Sequence, residues 1–481
     1  MPSFSKLRMS DFNSIKNDQF MNKESEINQK APIAAIATPV GEGGIAVIRV
    51  SGENAIAKVN RAFDGKDLRE QASHTVHFGN IKDKSGKVID EVLATLFHSP
   101  KSYTGEETVE ISCHGGVLVT QKVLETILEL DIKSAEPGEF TQRAFLNGKM
   151  ELSQAEAVAD LIHAKSKKAL DAAHQQLEGR LGEHIKEFRQ QIIDATAMVE
   201  LELDFIEEDV EFANKEELEK LLKELDEEID NLLSTYEAGR LVKHGVKTVF
   251  IGLPNAGKST LLNTLVGKDR AIVTEIAGTT RDTIDVDWSY DGLLFKLIDT
   301  AGLRDTKDVI EAEGVKRSQK AFEEADLAVY LKDLSRPFNE QERKDLAGFQ
   351  KKAGDTPFVL VGTKNDIALD VDDERLDYDL KISALEGEKI EELKKLMKQR
   401  ALENKHYDAS SILVTSSRHR DALLKSQEHV RSALEALDRG MTGDFLSIDL
   451  RAALNELGTI TGEITNEDVL DSIFSRFCIG K

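Results

Sequence analysis

The chain has 481 residues, with 63 Lys and Arg against 87 Asp and Glu and a net charge of −24 at neutral pH. That balance excludes a surface that coats nucleic acid generally, because salt-sensitive phosphate binding needs clustered cations and no long basic run occurs. With 40% apolar and 31% charged residues, the composition is that of an ordinary folded protein, long enough for two to four domains.

The first thirty residues are polar, lack an apolar core segment, and carry Asp11, Asp18, Glu24 and Glu26 among their cations. They read as neither a secretory nor a mitochondrial leader, but as a disordered extension (1–30) or an upstream start ahead of Met21. No run approaches a membrane span. Only Cys113 and Cys478 occur, without paired-ligand spacing, so neither a disulfide framework nor a zinc site is supported. A reduced, cytoplasmic setting fits.

Residues 31–149 alternate β-rich runs with glycine turns and read as an α+β domain. Within them Arg49 sits in the apolar run Ile45 to Val50, where a guanidinium needs an anionic partner. His114 lies in a Gly-flanked turn and reads more readily as structural than as a substrate contact. Proline placement divides the rest of the chain: none occurs from Gly138 to Leu253 or from Phe358 to Lys481. The first of these intervals has helical periodicity at Leu218, Leu221, Leu222, Leu225, Ile229, Leu232 and Leu233. The second has it after Ser410, at Leu423, Leu434, Leu437, Leu450, Leu454 and Leu457. The economical arrangement is one helical bundle built from 150–243 and 406–481, with a domain inserted at 244–405. Between Glu202 and Asp230 there are 14 carboxylates against three lysines, which read as a solvated helix face.

The inserted segment carries the chemistry. VFIGLPNAGKST, Val249 to Thr260, is a short strand running into a phosphate loop. Gly252 and Gly257 let backbone N–H groups turn inward around phosphate oxygens; Lys258 adds charge at the β and γ phosphates, and the Ser259 hydroxyl can hold Mg²⁺. The helix-compatible run from Ser259 to Leu265 presents its N-terminus to the same anion. Asp299-Thr300-Ala301-Gly302 follows the strand-like run Leu293 to Ile298, where a carboxylate supports Mg²⁺ and the Gly302 N–H can sense the γ-phosphate. Thr363-Lys364-Asn365-Asp366 follows the buried-strand pattern Phe358 to Val361. Asp366 can accept two hydrogen bonds from guanine that adenine cannot supply, and the Lys364 stem can lie on the base. Ser383-Ala384-Leu385 forms a turn able to cap the guanine carbonyl. This ordered set marks a guanine-nucleotide domain of the doubly wound α/β kind.

Two details bear on hydrolysis. Many GTPases place a water-orienting glutamine after the Asp-Thr-Ala-Gly run, and here that position is Leu303. Water positioning must then come from elsewhere; Glu311, in the acidic stretch Arg304 to Gly314, is either that group or a solvated helix-start residue. The run Thr274-Glu275-Ile276-Ala277-Gly278-Thr279-Thr280 is switch-like, with Thr280 the natural second hydroxyl on Mg²⁺. The Asn255 amide oxygen, with nearby carbonyls, can hold a monovalent cation bridging the phosphates.

From about Ile33 to Lys481 the chain resembles the MnmE (TrmE) family of tRNA-modification GTPases. The resemblance is carried by Ile33 to Pro39, Gly43 to Gly52, Tyr103-Thr104-Gly105-Glu106, Glu110, His114-Gly115-Gly116, Pro137 to Thr141, Arg143 to Lys149 and the terminal Phe477-Cys478-Ile479-Gly480-Lys481. It implies a potassium-activated GTPase working as a homodimer whose nucleotide domains meet across the nucleotides. K⁺ would then be held by Asn255, Thr274, Ile276 (through its carbonyl) and Thr279, with the water positioned by Glu311. It also implies that Arg49, Glu110, Lys149 and Lys481 bind a one-carbon folate. With a flavoprotein, MnmG, such enzymes install an aminomethyl or carboxymethylaminomethyl group on C5 of a tRNA wobble uridine. Thr363 departs from the Asn that many relatives have, which bears on affinity more than on specificity.

For Arg49, folate's carboxylates or an internal pair with Glu110 would serve. Cys478 either packs behind a helix over Val469 to Phe477 or lines the active site, with a thiolate favoured by Lys481. Two other functions fit part of the chain: a regulatory GTPase of ribosome assembly, against which the N-terminal motifs speak, and a folate-binding conformational switch whose chemistry lies wholly in its partner.

Overall fold

Two sheets organise the described residues, each in its own unit. The computed structural model describes residues 31–204, 215–267, 286–298, 322–354, 356–369, 376–403, 405 and 411–481. One unit comprises its described residues up to Ala159 together with Thr465–Lys481; the other runs from Asp160 to Ile464. The expected extension over residues 1–30 lies outside the described residues.

In the first unit, β1 (Ile33–Ile36), β2 (Ile45–Ser51), β3 (Phe63–Gly65), β4 (Thr75–Lys82), β5 (Val88–Phe97), β6 (Thr108–His114) and β7 (Lys133–Ser134) pair in the order β3-β4-β5-β6-β2-β1-β7. All of these pairings are antiparallel except β1 with β7. Alternation sends Ile48, Val50, Val92, Ala94, Leu96, Val109 and Ile111 to one face. There they meet α1 (Ala55–Asn60) and α2 (Val117–Leu128) through Ile56, Val59, Val123 and Ile127. On the opposite face a smaller cluster of Ile33, Ala35, Ala135 and Phe140 packs with Tyr103, and Phe140 comes from α3 (Glu139–Leu146).

The unit closes with α14 (Glu467–Phe474), whose N-cap Asn466 accepts the Val469 N–H at 2.9 Å. Its Leu470, Ile473 and Phe474, with Phe477, are buried together with Leu152 and Ala155 of α4 (Leu152–His163). Here the structure differs from the sequence reading, which assigns all of 406–481 to the second helical part. The apolar stripe of α14 finds its partners on α4, in the expected first helical part, and beside Phe145; Thr465–Lys481 and residues 150–159 both fall with the first unit. The helix also starts earlier and ends earlier than expected.

In the second unit, α5 (Lys167–Leu177), α6 (Arg180–Asp204), α7 (Lys215–Ser234), α8 (Tyr236–His244), α12 (Ser417–Asp438) and α13 (Gly443–Thr461) form the helical part. Its core draws Ile185, Phe188 and Ile192 from α6, Leu222, Leu225 and Ile229 from α7, Leu423 and Val430 from α12, and Leu446, Leu450 and Leu457 from α13. These helices flank the second sheet in sequence, so the sheet domain is inserted into a helical domain. The architecture is an α+β domain, a helical bundle and an α/β domain.

The second sheet has the order β13-β12-β11-β8-β10-β9, formed by β8 (Val246–Ile251), β9 (Val286–Tyr290), β10 (Leu293–Ile298), β11 (Leu327–Asp333), β12 (Phe358–Thr363) and β13 (Leu380–Lys381). Only β9 runs antiparallel to its neighbour. Strands buried on both faces read as continuous apolar runs. Phe250, Val329, Leu331 and Val361 thus meet α9 (Lys258–Val266) and α11 (Ile390–Leu402), whereas Val249, Ile251, Ala328, Tyr330 and Leu360 meet α10 (Glu340–Ala353). The β9–β10 hairpin is anchored on both parts of the unit: the Lys168 N–H donates to the Gly292 carbonyl at 3.0 Å, Lys165 pairs with Asp287 at 2.7 Å, and Lys398 pairs with Asp291.

Phe188 and the single tryptophan, Trp288, are both fully buried, but in separate cores. Phe188→Ala should cost about 3–5 kcal/mol in the helical core. The check is unfolding followed by far-ultraviolet circular dichroism and by Trp288 fluorescence. The helical signal should melt earlier than in wild type while the Trp288 transition moves less; equal shifts in both would contradict two separate cores.

Candidate functional site

The phosphate loop follows β8, between β11 and β10 in the sheet. Gly252 has φ +153°, and a Cβ there would sit 2.4 Å from the Leu331 carbonyl oxygen, so a side chain is barred by both strain and space. The Ala256 N–H closes a turn onto the Leu253 carbonyl at 3.2 Å, and Asn255 takes a left-handed conformation with φ +63°. Gly257, also left-handed, is the N-cap of α9 and offers no side-chain cap. The first-turn N–H groups therefore face the loop, an arrangement suited to an anion. The Lys258 ammonium bends back over the loop, donating to the carbonyls of Gly252 at 2.8 Å and Leu253 at 3.0 Å. Ser259, Thr260 and Asn255 are exposed.

Two further loops reach this one. The Thr363 hydroxyl, buried at the end of β12, lies 2.8 Å from the Ala256 carbonyl oxygen and 3.1 Å from that of Lys332. Lys364 is left-handed, and its ammonium pairs with Asp333 at 2.7 Å. Burial alone would raise the Asp333 pKa, but the hydrogen bonds from Lys364 and Ser335 outweigh it and hold the carboxyl below its ordinary range. The Asn365 N–H donates to the Ile382 carbonyl at 3.0 Å, and Asp366 follows, exposed, in a short 3₁₀ turn. Ser383 is buried and its hydroxyl accepts the Glu386 N–H at 3.2 Å. The Thr264 hydroxyl of α9 donates to the Ala384 carbonyl at 3.0 Å, and Leu385 is exposed. Hydrogen bonds thus draw together the loops over 252–257, 363–366 and 383–385, at the C-terminal ends of β8, β12 and β13, where doubly wound sheets bind ligands. The loop cradle and the exposed oxygens of Asn255 and Ser259 suit phosphate with hard cations, which take oxygen donors. Thr274 through Thr280, Asp299 through Gly302, and Glu311 lie outside the described residues.

The other sequence-predicted residues lie in the first unit. Arg49 on β2 stands directly opposite Glu110 on β6, and the two form an ion pair at 2.9 Å. The guanidinium carbon is 5.3 Å from the Tyr103 ring centre and 5.7 Å from that of Phe140. The Tyr103 hydroxyl hydrogen-bonds Thr141 at 2.9 Å. The C-terminal tail runs beside β1: Gly480 has φ +96°, and a Cβ there would lie 2.3 Å from the Ile36 carbonyl oxygen. That close approach brings Lys481 into the same group. Burial lowers its ammonium pKa, the Arg49 charge pushes the same way, and Glu110 opposes both. The Arg49 and Lys481 side-chain cations, with two aromatic faces, suit a ligand bearing both an aromatic ring and carboxylates. Lys149 is exposed and donates instead to the Pro100 carbonyl at 3.2 Å.

Cys478 is exposed, so the packing reading is overturned: Phe474 and Phe477 fill the apolar stripe without it. His114 is exposed and its Nδ1 is 2.7 Å from Asp90, whose carboxylate also accepts the His114 N–H.

Residues 32–149 match the family described as the GTP-binding protein TrmE N-terminus, and residues 152–478 match the MnmE helical domain. The chain belongs to the MnmE family. The tRNA modification GTPase MnmE of Salinibacter ruber is 50% identical over 461 residues, spanning 95% of this chain and all of that one. That of Cytophaga hutchinsonii is 44% identical over 464 residues, spanning 96% of this chain and all of its own. A crystal structure of Era from Aquifex aeolicus is 25% identical, with a TM-score of 0.26, covering 38% of this chain and 65% of that one.

Sequence reasoning missed Asp333, the partner of Lys364; the available signal was an acid following Lys332 at the end of the mainly apolar strand Leu327–Asp333. Tyr103 and Phe140 stand only within motif runs, and nothing in the local sequence assigns a role to Arg143. That guanidinium is buried, held by Glu139 at 2.7 Å and Glu106 at 3.4 Å, and ties α3 to the loop that carries Tyr103.

The two thiols should differ sharply in reactivity. Cys113 is buried and burial pushes its thiol pKa up, whereas Cys478 is exposed. Native protein should therefore react at one thiol per chain with a chromogenic disulfide, at Cys478, and at two only after unfolding. Rapid native labelling of both would contradict this placement of Cys113.

Proposed function

We propose that this chain is a potassium-dependent GTPase that acts with a flavoprotein partner, MnmG. Using a one-carbon folate, the pair adds an aminomethyl or carboxymethylaminomethyl group to C5 of the wobble uridine of certain tRNAs. The coarser part rests on family membership: the chain is a GTP hydrolase acting in tRNA modification, the activity named for relatives that match it along nearly their whole length. The observation that carries the finer part is the coexistence, in one chain, of the three convergent loops and the Arg49–Glu110–Lys481 group.

On this reading the N–H groups of the phosphate loop and Lys258 hold the β and γ phosphates. Asp366 reads the guanine edge, and the turn Ser383-Ala384-Leu385 caps its carbonyl. Leu303 can neither donate nor accept, so Glu311 orients the water whose oxygen bonds to the γ phosphorus as the bridge to the β phosphate breaks. Ser259 and Thr280 would hold Mg²⁺, and Asn255, Thr274, Ile276 and Thr279 would hold K⁺; these ions supply positive charge where negative charge develops on the bridging oxygen. Pairing of two nucleotide domains completes that geometry in a homodimer. In the first unit Arg49, Glu110, Lys149 and Lys481 would hold the folate, which supplies the one-carbon unit. The exposed Cys478 lies three residues before Lys481, whose backbone N–H donates to the Cys478 carbonyl at 3.3 Å.

Two further functions are weaker. A regulatory GTPase of ribosome assembly gives no ligand to the half-buried Arg49 and Lys481 of the N-terminal unit. A folate-binding switch with all chemistry in its partner shares every feature and is separated only by experiment.

Glu311→Ala should lower GTP turnover by about a hundredfold or more while leaving binding of a fluorescent guanine nucleotide near normal. Replacing K⁺ with Na⁺ should slow the wild-type chain strongly. Full K⁺-stimulated turnover by the variant would remove Glu311 from the mechanism, and equal rates in the two salts would remove the K⁺ site.

The purified chain with labelled one-carbon folate, GTP, K⁺ and unmodified tRNA should label tRNA only when the flavoprotein is added. Labelling without it would contradict the two-protein reading. An Arg49→Ala chain that still supports full labelling would remove Arg49 from the folate site.

A further inference from the structure

Lysine side chains ordinarily lay their methylene stems on apolar surface and keep the ammonium in water. The Lys364 ammonium is instead committed to a carboxylate. It is 2.7 Å from Oδ2 of Asp333, whose side chain is only 4% exposed, while the Lys364 side chain as a whole is 34% exposed. The charged end is fixed against a nearly dry carboxylate, and the side chain remains partly open to a ligand.

Asp333 is itself held rigidly. It ends β11, in register with Thr363 on β12, and the following Leu334 N–H donates to the Thr363 carbonyl at 2.9 Å. Its Oδ1 accepts the Ser335 N–H at 2.9 Å and the Ser335 hydroxyl at 2.6 Å. Arg336 lies 3.6 Å from Oδ2 and pairs more closely with Glu342, at 2.9 Å. With the Lys364 backbone in the left-handed region and its tip clamped, little rotamer freedom remains to be lost when a base arrives.

We propose that Asp333 is a positioning residue for guanine binding, fixing the Lys364 ammonium so that the lysine stem forms a flat floor for the base. The proposal rests on Lys364 lying against the base in a guanine-nucleotide site, and deepens that reading. Asp333 touches neither phosphate nor base; it acts through Lys364 alone, and it favours any purine face rather than the guanine edge.

The test is stopped-flow dissociation of a fluorescent GDP analogue from four full-length chains: wild type, Asp333→Asn, Lys364→Met and the double variant. Weakening a charge-assisted bond should speed release from Asp333→Asn by about tenfold. In the Lys364→Met background the same change should alter release by less than about twofold, because there is no ammonium left to position. Asp326→Asn, which removes a carboxylate just before β11 that is bonded to Arg240 of α8, serves as a control for general loss of stability and should leave release unchanged.

A Lys364→Met chain that releases nucleotide like wild type would overturn the reading of Lys364. A Lys364→Met effect without an Asp333→Asn effect would overturn the role of Asp333 alone, as would equal effects of Asp333→Asn in both backgrounds. Should Asp333→Asn not fold, Asp333→Glu displaces the carboxylate by one methylene and carries the same comparison in both backgrounds.

Discussion

The Thr363 hydroxyl, buried between the carbonyls of Ala256 and Lys332, sets the relation between the phosphate loop and the base-reading loop. A hydroxyl has one proton to donate, so it is shared between two acceptors 2.8 and 3.1 Å away. An asparagine amide, with two N–H groups, could serve both at once. The family resemblance frames Thr363 as the loss of an amide. The geometry shows what remains: the shorter side chain still reaches both carbonyls and still ties β12 to the loop after β8. Without that tie, the carbonyl of a buried loop residue would lose its partner, at a cost of about 1–3 kcal/mol. The two halves of the nucleotide site would then no longer hold a common frame.

The same sheet that presents these loops is fastened to the helical part at its other margin. The β9–β10 hairpin meets α5 through the Lys168–Gly292 hydrogen bond and the Lys165–Asp287 pair, and meets α11 through Lys398 and Asp291. Crowding of two ammonium groups there has a cost: burial lowers the Lys168 pKa, the Lys398 charge lowers it further, and Asp291 only partly compensates. At the α8 end, Asp326 accepts the Lys247 N–H while pairing with Arg240, so the entry into β8 is fixed on both sides. The inserted domain is joined by more than its two chain crossings.

The sequence made legible those features that depend on local spacing. Gly252 and Gly257 had to be glycines because of backbone conformation and the Leu331 carbonyl, and their six-residue frame with Lys258 and Ser259 is readable in one line. The helical periodicity of Leu218, Leu222, Leu225, Ile229 and Leu232 likewise produced a buried stripe on α7. Less legible was anything set by register between distant strands. Arg49 needed an anion, but only the pairing of β2 with β6 shows that Glu110 stands opposite. Asp333 and Lys364 are joined through the β11–β12 register, and no short motif spans them. The return of α14 to the N-terminal unit was also hidden, because an amphipathic stripe states that it is buried without stating against what.

A chain of net charge −24 working on a polyanionic substrate poses an electrostatic problem. Many cations of the helical part are already matched: Arg431 with Asp226, Arg451 with Glu200, Arg420 with Asp421, and Arg439 with Glu435. Exposed pairs of this kind contribute at most about 1 kcal/mol each to stability, but a neighbouring carboxylate also cancels the field that a phosphate would otherwise feel. Binding of RNA by neutralising phosphates and releasing counterions requires cations without such neighbours. On the reading proposed above, the chain itself need hold only small anions. The nucleotide would sit at the start of α9 and the one-carbon ligand beside Arg49 and Lys481. Neutralising the long tRNA backbone would then fall to cations outside those two groups, those of the proposed flavoprotein partner among them.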